Sequence, residues 1–224
     1  MRANLQNAEF IGDKVGSFSD WLGVKMDKLP DDYKHLIQEK LAEVEQQITS
    51  AQLATYLSDS NYKIIVSNTD NDTFVVQHIR AHKSDLKDNI NAAKRLSKNG
   101  YSVVVERHQL ANGKKNPEFT IVEQDGTSHL SALKTPDPTQ YKMIENGINN
   151  GMRSAEGQNL KHVVINIVGD ESLESIAAGL DIGFMRNGSI EKVVILKGFK
   201  TAEITREYYQ SGIIFDQLQA QHLQ

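Results

Sequence analysis

The chain contains no cysteine, which excludes both a disulfide framework and a cysteine-ligated zinc centre. Proline is nearly as scarce, and three of its four residues fall between 117 and 138, so they punctuate one part of the chain. No apolar run approaches the roughly 18 residues that a membrane-crossing helix requires. The opening stretch MRANLQNAEFIGDK lacks the apolar centre of a secretory signal. The expected setting is therefore cytoplasmic, with no membrane partner. Positive charge is also in deficit, with a net charge of -4 and a pI near 6.0. That excludes a generally basic nucleic-acid binder. At 224 residues the chain is long enough for one sizeable core and an appendage.

The deficit is uneven. Between Gln77 and Asn116 nine bases (Arg80, Lys83, Lys87, Lys94, Arg95, Lys98, Arg107, Lys114, Lys115) face three acids (Asp85, Asp88, Glu106), while the rest of the chain sums to -10. A local basic face on an acidic protein suits a phosphate-backbone partner. A solvated helix face beside a charged loop would produce the same count.

Residues 1 to about 28 show little pattern. Pro30, Asp31 and Asp32 then open a helix, proline at its first position and the acids at the positive end of its dipole. Tyr33, Leu36, Ile37, Leu41, Val44 and Ile48 continue it at helical spacing towards Leu57. Residues 1–60 hold ten acids and six bases and read as a helical arm rather than a site. Tyr62–Ser67 and Thr73–His78 read as short strands around a turn-rich linker. The linker has oxygen ligands but neither the glycine nor the closing glutamate of a calcium loop. Ser84 is expected to cap a helix ending near Asn99-Gly100. Lys87, Lys94 and Lys98 line up along one stripe of it, beside its apolar face.

Tyr101 to Pro136 reads as a β-meander. Tyr101, Val103 and Val105 alternate with Ser102, Val104 and Glu106, the period of a strand with one buried face. Asn112-Gly113 and Asp125-Gly126 supply turns, Glu118–Val122 returns, and Ser128–Leu133 forms a third strand. Pro136 and Pro138 cannot donate ladder hydrogen bonds, so that strand should stop near Lys134. Thr139–Met152 has a helical pattern weakened by two Asn-Gly pairs. His162–Val168 reads as a strand buried on both faces. A capped helix over Leu173–Leu180, a turn at Asn187-Gly188, a strand at Lys192–Leu196, a helix over Thr201–Gln210 and a tail helix needing a docking surface complete the chain. The fold class expected is α+β, in two parts. A helical N-terminal arm (1–60) precedes a compact domain (61–224) whose curved, mainly antiparallel sheet is flanked by helices.

The succession AAKRLSKNGYSVVVER, KNPEFTIV, ALKTP and KHVVINIV, over roughly residues 84–200, resembles the C-terminal ribonuclease modules of bacterial and phage polymorphic toxins. Those modules belong to contact-dependent-inhibition and phage-head-associated proteins, with the barnase/EndoU/colicin/RelE-like fold. The likeness lies in Asn116-Pro117-Glu118-Phe119 and Leu133-Lys134-Thr135-Pro136, set between a helix and an apolar strand. It implies an RNA-cleaving toxin, commonly directed at tRNA, acting in the cytoplasm of the producing or a target cell. It also implies delivery as part of a larger secreted or virion protein and a cognate immunity protein. A translation factor is a further candidate partner.

Cleavage through the ribose 2′-hydroxyl needs a base, a cation or donor for the phosphorane charge and an acid for the leaving oxygen, but no metal or cofactor. Lys134 is the candidate for charge stabilisation, with Thr135 beside it as a phosphate donor. Glu118, on the facing strand, would orient Lys134 or act as base; Glu106 and His108 are further acid–base candidates. Lys87, Lys94, Lys98, Arg107, Lys114 and Lys115 would bind the nucleic acid. Lys134 with Glu118 also reads as a plain cross-strand ion pair, His129 as a surface residue, His162 as a strand cap and Arg153 as solvent-exposed. Pro117-Glu118 and Lys134 also mimic a metal-dependent PD-(D/E)xK nuclease, but Ala132 stands where the second metal-binding acid is needed. A non-catalytic binding or inhibitor protein is the third reading.

Overall fold

The structure, a computed structural model, describes residues 51–68, 72–81, 85–107, 117–123, 126–137 and 143–223. The expected N-terminal arm lies outside the described residues except for its end, where residues 51–57 are helical (α1). The domain after it is α+β. Its elements are β1 (Tyr62–Asn68), β2 (Thr73–His78), α2 (Leu86–Ser97), β3 (Ser102–Val105), β4 (Phe119–Val122), β5 (Ser128–Lys134) and α3 (Ile144–Glu156). They continue as β6 (His162–Ile167), α4 (Leu173–Arg186), β7 (Lys192–Lys197), β8 (Lys200–Thr205), α5 (Arg206–Gln210) and α6 (Ile214–Ala220).

All eight strands form one open mixed sheet in sequence order. Four neighbouring pairs are antiparallel, including the meander β3–β4–β5; β2–β3, β5–β6 and β6–β7 are parallel. Each parallel step is bridged by a helix, because a parallel return needs a crossover. α2 covers one face, setting Ala92, Ala93 and Leu96 against Val75, Val103, Val105, Phe119, Leu133, Val164 and Leu196. α3 and α4 cover the other, where Ile148, Met152, Ile176 and Leu180 meet Ala132, Val163, Ile165, Val193 and Ile195. Near the β1 edge this second face is covered instead by Leu53 and Tyr56 of α1, over Phe74, Val76 and Val104.

Two-sided cover explains one departure from expectation: β3 is buried at all four positions, not on alternate ones. The sheet also curls. Glu123 follows β4 and Lys192 lies on β7, three strands away, which in a flat sheet is roughly 14 Å across the strands alone. Their side chains nevertheless meet at 3.2 Å, so the sheet bends towards its α2 face.

The local signals sort as follows. β5 ends at Lys134, one residue before the Thr135-Pro136 step. Ser172 caps α4, its hydroxyl accepting from the Ser175 amide at 3.2 Å, and the helix runs on to Arg186. Asp85 occupies the position ahead of α2 without a side-chain cap bond; Ser84 lies outside the described residues. α3 starts at Ile144 and runs to Glu156, undisturbed by its Asn-Gly pairs. Gly151 is needed where it stands, since a Cβ there would sit 2.8 Å from Ile165 Cδ1 and 3.2 Å from Lys134 Cβ. The helix expected over Thr201–Gln210 is corrected to β8 followed by the short α5. Gly198, at φ 56°, turns the chain back, and Ala202 and Ile204 alternate inward against β7, where β-branched residues fit a strand. The tail docks through Ile214, Leu218 and Leu223, all buried.

Candidate functional site

The expected pair forms. Lys134 Nζ donates to Glu118 Oε1 at 3.1 Å, and Glu118 Oε2 accepts the Leu133 amide at 3.0 Å. Both side chains keep partial exposure, 18% and 27%. Lys134 lies on the α3/α4 face, its stem against Gly151. Glu106 lies directly across from Glu118: Val105 pairs with Phe119, and the Glu106 amide donates to the Glu118 carbonyl at 3.0 Å. Directly opposed residues project to one face with Cβ atoms about 5 Å apart, so both acidic side chains leave the sheet on the face of Lys134. Like charges there would repel; Lys134 neutralises one, and Thr120 Oγ1 donates to Glu106 Oε1 at 2.5 Å.

Two residues that sequence reasoning left out continue this row. Gln77 pairs with Val105, which sets His78 next to Glu106, and the Tyr62 and His78 rings meet edge to face at 5.0 Å. Burial first, and then the Glu106 carboxylate, push the phenols of Tyr56 and Tyr62 above their ordinary pKa. His78 Nδ1 accepts the Arg80 amide at 3.0 Å, so in the neutral ring the proton is on Nε2. The row is thus Tyr62, His78, Glu106, Glu118 and Lys134. Its signal was a histidine closing the run TFVVQH, at the same strand end as Glu106.

Other expected members lie elsewhere. Thr135, one residue on, turns to the α2 face, where its hydroxyl accepts from Asn166 Nδ2 at 3.1 Å; consecutive strand residues point oppositely. Lys87, Lys94 and Lys98 are exposed on α2, so the sheet stands between this stripe and Lys134. Arg107 is exposed beyond β3. His108, Lys114 and Lys115 lie outside the described residues.

The α2 face carries a second cluster, of which only His129 and His162 were singled out in the sequence. Lys192 Nζ bridges Glu123 Oε1 at 3.2 Å and Glu203 Oε1 at 3.0 Å. Tyr101 reaches Glu203 at 3.5 Å, and the His129 and His162 rings lie 4.1 Å apart. Tyr101, Glu123, His129 and Lys192 line an open depression of about 420 Å³ with Asn99, Gly100 and Thr127. Burial alone would lower the Lys192 pKa, but the two carboxylates raise it. Burial, with Glu203 and Glu123, raises that of Tyr101. His162 falls to about 4, chiefly through burial, then through His129 and Lys192. An entering phosphate would meet two carboxylates around an ammonium they already neutralise. The cluster therefore works as a brace tying β4 to β7 and β8 and holding the curl. Glu123, His162 and Lys192 are each the ionisable residue at the end of an apolar β run, the one mark they leave in the sequence.

Among the described residues no group of three or more His, Asp or Glu side chains is arranged to hold a metal ion, and no helix is long and apolar enough to cross a membrane. No family model, curated protein or solved structure matches the chain.

Proposed function

We propose that this chain is an RNA-cleaving toxin domain, an endoribonuclease for tRNA that works by attack of the ribose 2′-hydroxyl without a metal. The observation that carries the reading is the Glu118–Lys134 pair at 3.1 Å, held at a strand end with Glu106 across from it and His78 alongside. Lys134 stabilises the charge on the phosphorane. Glu118, anchored by the Leu133 amide, fixes the ammonium. Glu106 takes the 2′-hydroxyl proton, solvent water protonates the leaving 5′-oxygen, and His78, whose Nδ1 accepts the Arg80 amide, donates a hydrogen bond from Nε2–H to a phosphoryl oxygen. The motif resemblance supplies the substrate class, the immunity protein as expected partner, and action in a cytoplasm; a translation factor is a further candidate partner.

One observation favours a second reading. Glu106 offers from β3 the second carboxylate that Ala132 withholds on β5, so Glu106 and Glu118 together resemble part of a metal-dependent nuclease site. Incubating the purified protein with total tRNA, with and without EDTA, separates the readings. Cleavage that survives EDTA and leaves 2′,3′-cyclic phosphate ends supports the proposal, with Lys134→Ala expected to lose about 100-fold or more. Cleavage abolished by EDTA selects the metal nuclease. Intact tRNA with a shifted gel band selects a non-catalytic binder.

A further inference from the structure

The β7–β8 hairpin tip, Lys197-Gly198-Phe199-Lys200, carries the most exposed large apolar side chain among the described residues: Phe199 is 74% accessible. The tip is pinned to α2. Asn99 Nδ2 donates to the Phe199 carbonyl at 3.0 Å, and Arg95 Nε donates to the Gly198 carbonyl. The same guanidinium holds Asn166 Oδ1 at 2.9 Å. Lys98 Nζ lies over one side of the Phe199 ring, 5.6 Å from its centroid. Lys94 precedes Lys98 by one helical turn on the exposed side of α2. Ile167 pairs with Lys197, so the exposed Val168 (72%) borders the tip, and the acids Asp170 and Glu171 bound it beyond β6.

We propose that this tip and the C-terminal half of α2 form a docking platform for single-stranded RNA: an unpaired base stacks on Phe199, and Lys94 and Lys98 hold the flanking phosphates. The proposal rests on RNA being the substrate and adds where and how the strand is gripped. The charge argues for a polyanion, and the lone ring argues for a base, because one aromatic amid cations is the pattern of a stacking site in an electrostatic groove. Lys98 takes one face of the ring and leaves the other for the nucleotide. Pinning by Arg95 and Asn99 means that the tip need not be ordered on binding, which favours affinity. The platform also gives the Lys94–Lys98 stripe a role independent of the sheet face on which Lys134 stands. A strand gripped here would have to pass round the sheet edge to reach the Glu118–Lys134 row.

Binding is read with a fluorescent 2′-O-methyl RNA oligonucleotide, which lacks the attacking hydroxyl, so affinity is measured whether or not the protein cleaves. Phe199→Ala is expected to weaken binding about tenfold or more, and Phe199→Trp to restore it. Lys98→Gln is expected to lower the salt slope by about one phosphate contact. Both positions are on the surface, and a thermal melt matching the unmodified protein verifies the fold. Phe199→Ala binding within twofold of the unmodified protein overturns the platform, as does the absence of any RNA binding. Binding to vesicles of anionic lipid in place of RNA overturns it in favour of a membrane surface. tRNA cleavage with Phe199-independent affinity removes only the platform. Phe199-dependent affinity without cleavage removes only the nuclease reading.

Discussion

His162 opens β6 with 14% of its side chain exposed, and its imidazole sits well below the ordinary value, falling from 6.5 to about 4. Burial is the main cause; His129 and the ammonium of Lys192 add to it, and Glu191 opposes it. Above pH 6.5 the ring is neutral in both the folded and unfolded chain and contributes no pH dependence. As pH falls through 6.5 the unfolded chain takes up a proton that the folded one refuses, so stability declines until about pH 4. One extra proton in the unfolded state corresponds to a slope of at most about 1.4 kcal/mol per pH unit. Between pH 7 and 5 the loss is about 1–2 kcal/mol, allowing for the water that reaches the ring. Urea unfolding followed by circular dichroism at pH 7, 6 and 5 measures it, with His162→Gln as the comparison. That window stays above the carboxylate range, where Glu191, held low by Lys161, would add a second loss. The unmodified protein should weaken more steeply than His162→Gln, the two curves diverging by that 1–2 kcal/mol. Parallel curves from pH 7 to 5 would refute the assignment of a proton-refusing ring to this cluster.

Two packing predictions follow from the α3/α4 side of the sheet. At Gly183 a Cβ would lie 2.1 Å from Met152 Sδ, and Met152 is fully buried. Gly183→Ala therefore loses about 1–2 kcal/mol, overpacking exceeding the helix-propensity gain of about 1 kcal/mol. At Gly157, where nothing stands closer than 3.4 Å, alanine should be neutral or stabilising, and a higher melting temperature for Gly183→Ala than for Gly157→Ala would contradict the contact. Arg206 donates to the carbonyls of Ile190 at 2.8 Å, Phe184 at 3.2 Å and Asn187 at 2.6 Å, and lies 5.3 Å from the Phe184 ring centroid. Lysine cannot reproduce that fork, so Arg206→Lys should cost about 1–3 kcal/mol in urea unfolding; a loss below about 0.5 kcal/mol would show that the fork is dispensable.

The meander, the strand end at Lys134 and the pairing of Glu118 with Lys134 were legible in the amino-acid order because their causes are local. Runs of β-branched residues and a proline act within a few residues of the chain. Thr201–Gln210 was misread for the converse reason. ITREYYQ is compatible with a helix, and only hydrogen bonds to β7, anchored by the turn at Gly198, make its first part a strand. Lys134 and Thr135 are neighbours in the chain yet face opposite sides of the sheet, so adjacency in sequence did not make them one site. Tyr101, Glu123, His129, His162, Lys192 and Glu203 show the reverse: six residues on six successive strands or their ends, sharing no motif. Strand order and the curl of the sheet bring them together, and both are properties of the assembled core. The apolar runs and turns of the chain specified which segments become strands. Which charged side chains then share a face, and which are divided by the sheet, was settled only when those strands paired into one sheet between its helical layers.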